Sequence, residues 1–100
     1  MDAEIPIEGL IEEFNGLLSE GDFEGAEELL AGAVGGSPHF QGFLHYQYGR
    51  LYKQWNKLSS AIVHLTTAAE MAQVANDRLF VLQVLEELKD AKRRQLGQRP

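Results

Sequence analysis

The stretch YGRLYKQWNKLSSAIVHLTTAA, residues 48–69, decides the reading of the fold. Gly49 sits inside a run that is otherwise helical, with Tyr52 three residues on. Asn56 and Lys57 make a polar break. Ala61, Leu65 and Ala68 then fall on one helical stripe. Glycine in a helix interior costs about 1 kcal/mol relative to alanine. Its presence here calls for a compensating contact. Two helices meeting at a short turn supply one: Gly49 is expected to face Ala61, letting the helices approach closely, while Tyr52 and Leu65 fill the space beside them.

Helical spacing continues on both sides of this stretch. Leu10, Phe14, Leu17 and Leu18 mark a first helix over residues 7–20, which Ser19-Glu20-Gly21-Asp22 breaks. Phe23, Ala26, Leu29, Leu30 and Ala33 mark a second, which Gly35-Gly36 stops. Ser37-Pro38 restarts the chain, with serine as N-cap and proline in the first helical position. A third helix is expected from about Pro38 to Trp55 and a fourth from about Leu58 to Ala75. Asn76-Asp77 interrupt. A fifth helix carries Leu79, Leu82, Leu85 and Leu88 to about Arg94. No stretch alternates as a strand would. The expected fold is all-α, with five helices and short connections between antiparallel neighbours.

The chain also repeats. Ala26 matches Ala61, Leu30 matches Leu65, Ala33 matches Ala68, Phe23 matches Leu58 and Leu17 matches Tyr52, every pair 35 residues apart. A helix–turn–helix period of about 34 residues belongs to tetratricopeptide repeats. With Gly49, Tyr52, Ala61, Leu65 and Ala68 in small–aromatic–small–large–small order, and Gly21, Phe23, Ala26, Leu30, Ala33 and Pro38 in the matching places of the first unit, the chain resembles the tetratricopeptide repeat (TPR) family over about residues 7–94. The resemblance implies a short right-handed α-solenoid of antiparallel helix pairs in one domain over 1–100. Repeat 1 spans about 7–40, repeat 2 about 42–75, and a capping-like terminal helix about 77–94. Three departures stand out. Phe14 replaces the glycine of the second unit, the second unit lacks a closing proline, and the fifth helix has no following partner.

Composition bounds the function. The apolar share of 44% can build a small core, and the net charge is −6. No cysteine is present, which removes disulfides, thiolate metal sites and a cysteine nucleophile. MDAEIPIEGL lacks the basic and apolar regions of a signal peptide, and no run approaches the ~18 apolar residues of a membrane span. A cytoplasmic protein is expected, and the starting methionine with the polar QLGQRP end suggests a whole small protein. Residues 1–30 carry ten acids and no Lys or Arg, whereas Lys89, Lys92, Arg93, Arg94 and Arg99 crowd the end. The acidic first part would repel nucleic acid. The basic end suits the C-terminal dipole of a helix.

Enzyme signatures are lacking. His39, His45 and His64 form no HExxH pair and have no carboxylate at ligand spacing. The Glu12-Glu13 and Glu27-Glu28 neighbours point about 100° apart on a helix and read as a solvated face. No catalytic residue, metal or cofactor is expected.

Two binding surfaces remain. In TPR proteins the first helix of each unit lines a concave groove. The resemblance therefore puts Ile11, Asn15, Phe43, Tyr46, Gln47, Arg50, Lys53, Phe80 and Val84 on it, suited to a peptide or helix with an apolar anchor. The same residues can equally be core of a short solenoid. TPR co-chaperones hold the Hsp70 or Hsp90 terminal carboxylate with a basic and asparagine clamp. Ile11, Asn15, Gln47, Asp77 and Val81 stand in the clamp places, and only Asn15 fits, which argues against that partner. The second surface is the fifth helix, where LFVLQVL is apolar nearly all round. Leu79, Leu82 and Leu85 are expected to pack on the fourth helix, leaving Phe80, Val81, Val84 and Leu88 as a candidate interface. The expected function is a non-enzymatic adaptor or assembly module for a protein or peptide, a second copy of the chain being one form of that partner. A small chaperone that keeps an aggregation-prone subunit soluble is the alternative.

Overall fold

The computed structural model describes residues 7–33 and 38–98. They form five α-helices and no strand: α1 Ile7–Ser19, α2 Phe23–Gly32, α3 Pro38–Gln54, α4 Leu58–Val74 and α5 Arg78–Gly97. The glycine stop at 35–36 and the Ser37 cap lie outside the described residues. The chain divides into two compact units, Met1–Val34 and Gly35–Pro100.

The three described turns are one motif used three times. Gly21, Asn56 and Asn76 all take the left-handed conformation, with φ of 75°, 62° and 58°. In each, the next residue's N–H reaches back five positions: Asp22 to the Leu17 carbonyl at 2.9 Å, Lys57 to Tyr52 at 2.8 Å and Asp77 to Ala72 at 3.0 Å. The left-handed residue's own N–H bonds three back, to Leu18, Lys53 and Gln73. This is the Schellman cap, and it satisfies carbonyls that a helix end would otherwise leave bare. Glycine and asparagine tolerate the positive φ best. The first two turns stand 35 residues apart, so the sequence repeat is also a repeat of hydrogen bonds. The closing residue then caps the next helix. Asp22 accepts from the Gly25 N–H at 2.9 Å and Asp77 from the Phe80 N–H at 3.2 Å. Lys57 caps with no side chain. Its ammonium lies instead 3.6 Å above the Trp55 ring.

In the first unit α1 packs against α2. Leu10, Phe14, Leu18, Ala26 and Leu30 are buried, at the spacing the sequence set. In the second unit α3 packs on α4, α4 on α5, and α3 also touches α5. α4 buries Leu58, Ala61, Leu65, Ala68, Ala69 and Ala72 on one stripe. α5 answers with Val84, Leu88 and Ala91, while Tyr46, Tyr52, Ile62 and Phe80 close the edges. At its far end α5 returns to the α3–α4 turn, where Gln95 donates to Ser59 at 3.0 Å and Gln98 to Asn56.

Leu65 lies beside Gly49 as expected: a β-carbon at 49 would overlap the Leu65 Cγ and Cδ2. One packing expectation is corrected. On α5, Leu79, Leu82 and Leu85 do not pack inward. They are exposed, and Val84 and Leu88 are the core residues. The rotation of α5 is set by more than its leucines. Glu87 and Asp90 both reach Lys53 of α3, and Phe80 meets Tyr46. Turning Leu82 inward would swing these three contacts away from α3. Among the described residues, no helix is long and apolar enough to cross a membrane.

Candidate binding surface

The α3–α5 face gathers most of the groove candidates of the second unit. The Tyr46 and Phe80 rings meet edge to face, with centroids 5.4 Å apart and planes at 73°. Burial pushes the Tyr46 phenol pKa up, with Glu87 adding to the effect. Phe43 stacks on Phe40 at 5.9 Å and is half-buried. Gln47 is only 4% exposed, and its Oε1 accepts from Arg50 Nη1 at 2.8 Å. Lys53 Nζ lies 2.6 Å from Glu87 and 3.0 Å from Asp90, and Arg94 completes the chain at 3.1 Å from Asp90. The Lys53 hydrogen bond holds Asp90 below the usual carboxylate range. The cations expected to edge the groove are thus committed: Arg50 steadies Gln47, and Lys53 ties α3 to α5. Val84 lies beneath this face, fully buried. In the first unit, Ile11 on α1 is half-buried and Asn15 is exposed.

A second cluster was not foreseen. His45 of α3 and His64 of α4 place their Nδ1 atoms 3.0 Å apart. The Tyr48 and Tyr52 rings lie 5.0 and 5.5 Å from the His64 ring. One imidazole donates to the other, so the pair needs one Nδ1–H and one bare nitrogen. Burial lowers the His64 pKa, and a proton on His45 would lower it further. Among the described residues no group of three or more His, Asp or Glu side chains could hold a metal. The signal available in sequence was weak: the two histidines lie on neighbouring helices, eleven residues before and eight residues after Asn56.

The outer face of α5 carries an uncovered apolar surface. Leu79, Leu82 and Leu85 are 76%, 61% and 41% exposed, and Val74 at the end of α4 is 89% exposed. Beside them a shallow, mainly apolar groove is lined by Ala72, Gln73, Val81 and Leu82, with Asn76, Asp77 and Arg78 at its rim. Val81 is half-buried there. Toward the C-terminus the same face turns basic, with Lys89, Lys92 and Arg93 exposed. Of the expected α5 interface residues, Phe80 and Val81 are partly accessible, whereas Val84 and Leu88 are not.

No family model, curated protein or solved structure matches this chain.

Proposed function

We propose that this chain is a non-enzymatic interaction module of TPR-like build, a short right-handed α-solenoid whose last helix is left open for a protein partner. The repeat supports the build: the same Schellman turn and the same buried alanine–leucine pair recur 35 residues apart, at Ala26 and Leu30 and at Ala61 and Leu65. In such a build α1 and α2 pair, α3 and α4 pair, and α5 is a first helix without its second.

The observation that carries the function is the exposed Leu79, Leu82 and Leu85 stripe beside Val74. A terminal helix that ends a solenoid in water carries a polar outer face. An apolar one marks a contact surface. A helix with its own apolar stripe fits this face as a second helix would fit in the next repeat.

The test compares affinity capture by the wild type and by Leu82→Glu, followed by reconstitution with the purified captured protein. The variant should keep its helicity, because Leu82 is exposed within the chain, and should lose the partner. Equal binding by both proteins would overturn the reading.

A further inference from the structure

We propose that the partner of the α5 face is a second copy of this chain, docked α5 to α5, antiparallel, about a two-fold axis through Leu82. The proposal rests on the interaction reading above and names its partner.

A two-fold interface is isologous, so the surface must complement itself. The α5 face does so in this register. With Leu82 meeting its own copy, the residue three before it faces the residue three after it, and Leu79 meets Leu85 of the second copy. One step further out, Arg78 meets Glu86 of the second copy. Both Arg78 and Glu86 are exposed. By symmetry each contact occurs twice. All three exposed leucines are covered, and both flanking charges find the opposite sign.

Other registers do worse. A parallel pairing sets Arg78 against Arg78 and Glu86 against Glu86. Sliding the antiparallel pair so that Leu82 meets Leu85 sets Arg78 against Lys89. Sliding it the other way, so that Leu79 meets Leu82, leaves Glu86 opposite Ala75 with no charge to answer it. Apolar burial supplies the affinity here, and the Arg78–Glu86 pairs choose the register.

The test is sedimentation equilibrium on the wild type, Arg78→Glu, Glu86→Arg, the double reversal, and an equimolar mixture of the two single reversals. The wild type should dimerise. Each single reversal sets like charges together at two symmetric places and should weaken the dimer about tenfold. The double reversal should restore it. The mixture should form a heterodimer tighter than either single variant forms alone. A wild type that stays monomeric at every concentration, or a dimer indifferent to both reversals, overturns the proposal. If that monomer still captures another protein and Leu82→Glu abolishes the capture, the interaction reading stands and the second-copy assignment falls. If Leu82→Glu changes neither molar mass nor capture, both fall.

Discussion

Leu65 of α4 occupies the volume that a side chain at Gly49 of α3 would need. The glycine is a packing residue: its missing methyl group lets a fully buried leucine lie flat on the facing helix.

Gly49→Ala should therefore destabilise the fold although alanine is the better helix former. The gain of about 1 kcal/mol in propensity is outweighed by overpacking, which costs about 1–3 kcal/mol in a tight core. The expected result is a melting temperature several degrees lower, at about 4–8 °C per kcal/mol for a chain this size. A higher one would contradict the packing role.

Gly16→Ala is the matched opposite. Gly16 lies inside α1 with nothing within 4 Å of where a β-carbon would stand. Only the propensity gain of about 1 kcal/mol remains. Thermal denaturation should show a rise of a few degrees.

The Schellman turns can be probed at Asn76, whose φ of 58° suits asparagine or glycine. Asn76→Ala should cost about 1 kcal/mol, whereas Asn76→Gly should come close to the wild type. Urea denaturation of the pair reads the difference directly, and equal midpoints would argue against strain at this turn.

Lys53→Met removes the cation shared by Glu87 and Asp90. The loss should be about 1 kcal/mol or less, as for a partly exposed network, and should shrink in high salt. The acid profile should change too. Asp90 has a depressed folded pKa, so its extra stability is present above its ordinary value of 3.8 and is lost as the pH falls below it. In Lys53→Met that step should flatten, as measured by melting temperature between pH 5 and pH 2.

His64 acts at higher pH. Its folded pKa lies below the ordinary 6.5, because burial and His45 both oppose its proton. Below pH 6.5 the unfolded chain therefore binds a proton that the folded chain resists, and stability falls as the solution is acidified. The groups facing it are His45, Tyr48 and Tyr52 of α3, none of them a carboxylate, with Lys57 further along over Tyr52. The slope for one proton is at most about 1.4 kcal/mol per pH unit. His64→Phe should lose that slope between pH 7 and 5, and parallel melting profiles for the two proteins would refute the assignment.

The sequence by itself determined the helices, their limits within a few residues, and the turns. Those features are local: apolar spacing, a glycine or asparagine able to take positive φ, and an aspartate able to cap act within a few residues of one another. The 35-residue repeat was legible for the same reason, since Ala26, Leu30 and Ala33 recur as Ala61, Leu65 and Ala68 at the same helical spacing. Only the tertiary structure decided what each helix turns inward. α5 offered two apolar stripes, and counting leucines favoured the wrong one. Lys53, Glu87, Asp90 and the Tyr46–Phe80 contact fixed its rotation from α3, buried Val84 and Leu88, and left Leu79, Leu82 and Leu85 in water. The overlap of Leu65 with the missing β-carbon of Gly49 and the meeting of His45 with His64 were likewise decided only in the fold. Each depends on the axial offset between two helices, and that offset is set by packing across the whole contact rather than by any local pattern.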